Sequence, residues 1–360
     1  MQNINLLSPY KIGHIALKNR IVMATIRCPR AIGNVPNKLM AEYYGHRAAA
    51  GLIITEGASP APNGFGFNGI PGIYSKAQLE GWKRVTEAVH SKDGKIFVQL
   101  MHTGRIIHHE NHPTEIFRIG SNGFKPGEQI WTVGHEVQDF PAPNELVTEE
   151  IVRMKQDYIS AAANAIGAGF DGIELHVANG YLLEQFLYAE RNTRNDKYGG
   201  CIENRCRFLL EIIEGIRIAI GKNKVGLRFS PYGIADYVHH YQEIEDTYKY
   251  LAENLDGILY FHLVDRSLMD TLKVPPGIKK TIRNNFRQPL IFSGGYIMES
   301  AEDELQSGHA NLFAFSRVFI NNPDLIGQFV NGRLLSKDLD IDTFYSPGKK
   351  RNSSFPVYAN

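Results

Sequence analysis

The chain has 360 residues, 43% of them hydrophobic, enough to fill one large core or two smaller ones. Lys plus Arg number 39 against 38 Asp plus Glu, and the net charge of +1 argues against a nucleic-acid or other polyanionic partner. The three cysteines, Cys28, Cys201 and Cys206, make neither a disulfide framework nor a zinc spacing and read as reduced thiols. The amino terminus lacks a basic region followed by a long apolar one, and no window of about 18 apolar residues offers a membrane span, so a soluble, cytoplasmic protein is expected.

In chain order, residues 10–18 read as a short hairpin turning at Gly13, placed to plug the floor of a barrel. Short apolar, β-branched runs then recur at 21–25, 52–56, 96–101, 172–176, 225–230, 257–264, 290–294 and 312–316. They are continuous rather than alternating, as strands buried on both faces are. Helix-like segments lie between them, among them 38–50, 76–91, 148–167, 203–220, 241–254 and 298–307. Thr148-Glu149-Glu150-Ile151 opens one of these with a capping residue and early acids.

Eight strand–helix units predict an α/β fold, a (β/α)₈ barrel. A doubly wound dinucleotide-binding sheet competes, but no Gly-x-Gly-x-x-Gly directly follows any of the strands; Gly64–Gly69 has that spacing only eight residues beyond the 52–56 run. The interval 102–148 is too long for an ordinary strand-to-helix loop and reads as a capping excursion after strand three. No second domain, repeat or low-complexity tract is visible, so 1–360 reads as one domain with an irregular basic tail from about 347.

His176-Val177-Ala178-Asn179-Gly180-Tyr181 follows the fourth strand, at the end where such barrels keep their chemistry. Imidazole and carboxamide N–H groups can both donate to one carbonyl oxygen. A tyrosine with an ordinary pKa of about 10 can supply a proton. Taken alone, the same residues also fit a strand cap, an Asx turn and a packed ring. His108-His109-Glu110-Asn111-His112 reads as a polar loop rather than a metal site, and no serine nucleophile elbow is present.

The motif continues through Leu182-Leu183-Glu184-Gln185-Phe186-Leu187, Asn192-Thr193-Arg194-Asn195-Asp196-Lys197-Tyr198-Gly199-Gly200 and Glu203-Asn204-Arg205. Here the chain resembles the Old Yellow Enzyme family of flavin-dependent ene reductases. That family's signature is a His-x-x-Asn/His-Gly-Tyr-Leu run followed by Asn-x-Arg-x-Asp-x-Tyr-Gly-Gly-Ser-x-Glu-Asn-Arg. The likeness extends from Leu17-Lys18-Asn19-Arg20 to Asn322-Pro323-Asp324-Leu325.

The resemblance implies non-covalent FMN, with NADPH or NADH as hydride donor. It also implies an α,β-unsaturated carbonyl or nitro substrate, held by His176 and Asn179 and protonated by Tyr181 while its β-carbon receives hydride. Gln99 is similar to the glutamine at the flavin pyrimidine ring, and Arg228 to the arginine beside flavin N1 and O2. Gly57 and Ala58 resemble the small residues that let backbone approach the flavin. Gly294, Gly295, Ser316 and Arg317 resemble the phosphate loops, with Ser316 where glycine is usual. A monomer or homodimer is expected, with no metal.

There are departures from the pattern. Thr25-Ile26-Arg27-Cys28 stands where the family has Pro-x-Thr-Arg. Ungapped, Arg27 replaces the flavin-contacting threonine; with a local shift, Thr25 takes its role. Met101 replaces a common tryptophan, Pro141-Ala142-Pro143-Asn144-Glu145 lacks a common lid arginine, and Arg351-Asn352-Ser353-Ser354-Phe355-Pro356 lacks a tyrosine that often edges the site. They motivate an alternative on the same flavin: a redox-neutral or oxidative isomerase, desaturase or cyclase. A flavin-binding protein without catalysis is a third reading, weakened by the intact His176, Asn179 and Tyr181.

Overall fold

The structure, a computed structural model, describes residues 5–26, 30–111, 119–123, 129–131, 137–233, 243–267 and 273–336. Eight parallel strands close into a barrel: β1 Ile21–Met23, β2 Leu52–Ala58, β3 Ile96–Leu100, β4 Gly172–Val177, β5 Val225–Phe229, β6 Tyr260–Val264, β7 Leu290–Ser293 and β8 Leu312–Phe315. Each occupies one of the apolar runs, and β8 pairs with β1 to close the ring. The helices are α1 Lys38–Gly45, α2 Lys76–His90, α3 Thr148–Gly167, α4 Leu182–Leu187, α5 Ile202–Ile220, α6 Ile244–Asn254, α7 Pro276–Asn285, α8 Met298–Gln306, α9 Arg317–Asn321 and α10 Leu325–Val330. No helix among the described residues is long and apolar enough to cross a membrane.

The hairpin pairs Tyr10–Ile12 with Ile15–Leu17 across a turn at Gly13 (φ +56°). Its Ile12, Ile15 and Leu17 are buried against Leu52, Phe97, Tyr260 and Leu312 inside the barrel, so it does plug the floor. Above it, Phe97 and Tyr260 stack with ring centroids 6.1 Å apart. They reach across the barrel because Gly172 and Gly226 stand on the strands between them. A Cβ on Gly172 would lie 2.5 Å from the Phe97 ring, and one on Gly226 2.1 Å from the Tyr260 ring. Alternating large and small side chains fill the lower barrel with hydrocarbon and leave polar chemistry to the other end.

Several boundaries differ from the sequence expectation. α1 stops at Gly45 instead of running to residue 50. The buried Arg47 guanidinium donates to the carbonyls of Tyr43, Phe319 and Ile320, tying the chain to α9 in place of another helical turn. Thr148 is the first helical residue of α3 rather than its cap; the preceding Val147 N–H donates to the Glu150 carboxylate at 3.0 Å. β6 begins at Tyr260, three residues later than the apolar run.

The excursion after β3 carries two small sheets. Ile119–Gly120 pairs in parallel with Asn144–Glu145, and Gln129–Trp131 antiparallel with Val137–Asp139. The Asn192–Gly200 block anchors it. Arg194 donates to the carbonyls of Ser121 and Leu146 and forms a two-pronged pair with Asp196. Asn192 donates to the carbonyls of Phe186 and Tyr198. This part of the family signature is therefore structural. Introducing a methyl by Gly226→Ala should overpack the barrel floor and cost roughly 1–3 kcal/mol. A lowered urea midpoint checks it, and an unchanged one would mean that the Tyr260 ring yields freely.

Candidate active site

A cleft of about 510 Å³, counting its open mouth, lies at the carboxyl ends of the strands. His176, Asn179, Tyr181, Thr25, Gln99 and Arg228 all line it. Strand register brings them together: His176 on β4 stands beside Arg228 on β5, and Glu174 beside Gln99 on β3. A bulge in β2 between Ile54 and Gly57 sets Gly57 opposite Gln99. Bulges re-aim side chains at such rims, and here Glu56 and Gly57 face the cleft. Ala58 does not line it; its carbonyl accepts from the Met101 N–H at 2.9 Å. Met101, Phe67 and Ile70 form an apolar wall.

Gly294 and Gly295 lie exposed at the end of β7, with φ of +102° and +74°. A Cβ on Gly294 would meet the Asp265 carbonyl at 1.9 Å. Ser316 and an exposed Arg317 open α9 on the neighbouring β8. These four lie at the rim, outside the cleft's lining. Arg27, Cys28, His112 and the tail lie outside the described residues.

The chain leaves β4 through a sharp turn, with Asn179 (φ +60°) and Gly180 (φ +75°) both left-handed. Asparagine and glycine are the residues that bear this conformation most easily. Buried polar side chains hold the turn. The Asn179 N–H donates to Ser230 Oγ at 2.9 Å, and the Gly180 N–H to Glu184 Oε2 at 2.6 Å. Gln185 Nε2 donates to the carbonyls of Gly180 and Thr103 at 2.7 and 3.3 Å. Tyr181 packs its ring 4.9 Å from that of His176 and against Ile106 and Phe140 of the excursion.

His176 Nδ1 accepts from the Ala178 N–H at 3.3 Å, the arrangement of the tautomer that carries its proton on Nε2. Burial, then the neighbouring Arg228 charge, holds this imidazole well below the ordinary histidine range, so it stays neutral. Arg228 Nη1 and Asn179 Nδ2 each stand 3.2 Å from that Nε2. Three donors thus converge with no acceptor among them. Four more polar atoms of the cleft, Thr25 Oγ1, Gln99 Oε1, Asn179 Oδ1 and Arg228 Nε, are buried without a hydrogen-bond partner among the described residues. Buried polar groups are normally satisfied, so this set is shaped for a molecule that brings its own acceptors and donors.

The sequence profile described as the NADH:flavin oxidoreductase / NADH oxidase family matches residues 5–335. The chain belongs to this family, the Old Yellow Enzyme family. Putative 12-oxophytodienoate reductase 11 of Oryza sativa subsp. japonica is 37% identical over 345 residues, 94% of each chain. 12-Oxophytodienoate reductase 2 of Arabidopsis thaliana is 35% identical, covering 96% of this chain and 93% of its own. Among solved structures, morphinone reductase in complex with tetrahydroNAD superimposes with a TM-score of 0.92 at 36% identity over 98% of both chains. The old yellow enzyme homologue from Zymomonas mobilis does so at 0.91 and 35% identity, over 98% of this chain and 99% of that one. Family membership makes the chain an oxidoreductase that works with a flavin and a nicotinamide donor.

Several residues of the site escape sequence reasoning. Glu56, Phe67 and Ile70 carry no motif of their own. Glu174 and Glu184 do carry a signal, an acid inside an apolar run, but the run does not disclose its partners. His108, His109 and Glu110 bring ligand atoms within 4.8 Å of one another. There the Glu110 carboxylate accepts from Gln138 Nε2 and its N–H donates to His108 Nδ1.

Burial raises the Glu184 carboxyl to about 7 from an ordinary 4.5. The stability it contributes is therefore present in full below about pH 4.5 and lost as the pH rises through about 7. Glu184→Gln should flatten the fall in urea midpoint between pH 4.5 and 8. A slope identical to wild type would remove Glu184 as its source.

Proposed function

We propose that the protein is an FMN-dependent ene reductase, using NADPH or NADH to reduce the carbon–carbon double bond of an α,β-unsaturated carbonyl or nitro compound. The observation that carries this reading is the convergence of His176, Asn179 and Arg228 donors beside Tyr181 in one cleft.

The polar atoms left open in the cleft fit a flavin. Gln99 Oε1 is an acceptor for a ring N–H, while Thr25 Oγ1 and the Arg228 guanidinium are donors for ring oxygens and N1. Of the two alignments open at Thr25–Cys28, the partnerless buried hydroxyl of Thr25 supports the one that gives Thr25 the contact. Gly57 would keep the β2 backbone close to the ring. Gly294, Gly295, Ser316 and Arg317 offer backbone N–H groups and a cation at the rim for its phosphate. A flavin held by these residues would supply the hydride chemistry between a nicotinamide and the substrate β-carbon.

The chain's own residues do the rest. His176 Nε2–H and Asn179 Nδ2 hold the substrate oxygen and stabilise the negative charge that grows on it. A neutral imidazole serves as a donor throughout the physiological range, because burial and Arg228 keep it from protonating. The Arg228 guanidinium balances negative charge on the reduced ring. Tyr181 delivers a proton to the α-carbon. Phe67, Ile70 and Met101 exclude water from one wall and favour an apolar substrate body.

Replacing His176 or Asn179 with Ala should lower enone reduction roughly 10²–10³-fold while leaving flavin reduction by NADPH largely intact. Tyr181→Phe should slow turnover of substrates that need the proton, again with flavin reduction unchanged; full retention of enone reduction would remove Tyr181 from the reaction. Turnover of a substrate without any nicotinamide would instead point to a redox-neutral enzyme.

A further inference from the structure

Two residues before His176, Glu174 stands inside the barrel with no exposed surface at all. Oε1 accepts from Gln99 Nε2 at 2.7 Å. Oε2 lies 2.9 Å from His262 Nδ1, and His262 Nε2 lies 2.9 Å from Ser293 Oγ. The chain of donors is consistent in one direction: Ser293 hydroxyl to His262 Nε2, His262 Nδ1–H to the carboxylate, Gln99 amide N–H to the carboxylate. A carboxylate is an acceptor at both oxygens, so it draws a donor from each side.

We propose that Glu174 is a positioning residue: it decides which end of the Gln99 carboxamide, and what balance of charge around Arg228, the cleft presents to the flavin. The inference rests on the flavin reading above and deepens it.

Gln99 has one amide group and two ends. With Nε2 drawn to Glu174, Oε1 is left buried in the cleft lining without a partner among the described residues, as an acceptor. Were residue 174 an amide, it would have a donor to place as well, and Gln99 would be free to turn and offer N–H to the cleft. A ring N–H would then meet a donor. Glu174 pairs in register with Gly226, two residues before Arg228 on β5, and its charge favours the guanidinium against the desolvation that opposes it. No hydrogen bond from Arg228 to Glu174 is needed for this, and the guanidinium donors stay available to the cleft.

The two roles separate by substitution. Glu174→Gln removes the charge and frees Gln99; Glu174→Asp keeps the charge and withdraws the carboxylate from Gln99. Apoprotein of wild type and both variants is titrated with FMN, and the midpoint potential of the bound flavin is measured by dye equilibration. Glu174→Gln should bind oxidised FMN at least tenfold more weakly. Its potential should move positive by about 30 mV, the tenfold change in a two-electron equilibrium expected when an anion near the reduced ring is lost. Glu174→Asp should bind FMN more weakly with the wild-type potential, and it carries the test alone if Glu174→Gln does not fold. A variant that only loosens the barrel would weaken binding without moving the potential in Glu174→Gln. FMN affinity within twofold of wild type in either variant would overturn the proposal, as would an unchanged potential in Glu174→Gln or a Glu174→Asp potential moved from wild type by about 30 mV. If the wild-type chain itself takes up no FMN, it is the flavin reading that fails.

Discussion

A half-buried guanidinium lining the cleft has to be balanced, and the site is organised around how Arg228 is balanced. Moving an unpaired ion out of water costs several kcal/mol even after the protein relaxes. Arg228 is compensated by the Glu174 carboxylate, which itself takes hydrogen bonds from Gln99 and His262. Each Glu174 oxygen already takes one of those hydrogen bonds, while Arg228 Nη1 stands 3.2 Å from His176 Nε2 in the cleft. Burial, with the Arg228 charge, keeps His176 neutral, so imidazole and guanidinium sit 3.2 Å apart without two cations meeting.

The polar layer can exist because the layer beneath it is dry. Phe97 and Tyr260, admitted by Gly172 and Gly226, close the barrel above the hairpin. Side chains one pleat higher, Gln99, Glu174, Arg228 and His262, satisfy one another in part and leave a defined remainder. At the next level the backbone itself is strained. Asn179 and Gly180 are both left-handed, and Ser230, Glu184 and Gln185 hold them there. Strain of this kind persists only when the surroundings over-determine it. It aims Asn179 back at His176 and sends Tyr181 across the cleft to pack against the excursion.

Much of this was legible in the sequence, for identifiable reasons. Buried parallel strands need continuous apolar runs, so each barrel strand announced itself. The His176–Tyr181 turn was readable because a histidine, an asparagine and a tyrosine cluster at the end of an apolar run. Where long-range side-chain contacts decide, the sequence was silent. Arg47 ends α1 by bonding to a helix more than 250 residues later, and a β2 bulge puts Gly57, not Ala58, on the cleft. Glu174 was visible as an acid among Gly172-Ile173 and Leu175, yet its partners Gln99 and His262 lie on two other strands. The Asn192–Asp196 block carries as much family signature as the His176 turn, but the structure gives it the task of anchoring the excursion.

The central claim is that a flavin faces His176, Asn179 and Tyr181 across this cleft. Its most direct test is anaerobic stopped-flow spectroscopy of the purified holoprotein. Mixing with NADPH should bleach the visible absorbance of the oxidised flavin, and a second mix with a small cyclic enone should restore it as the saturated ketone forms. A protein that holds no flavin, or a reduced flavin that a panel of enones and nitroalkenes fails to reoxidise, would contradict the account.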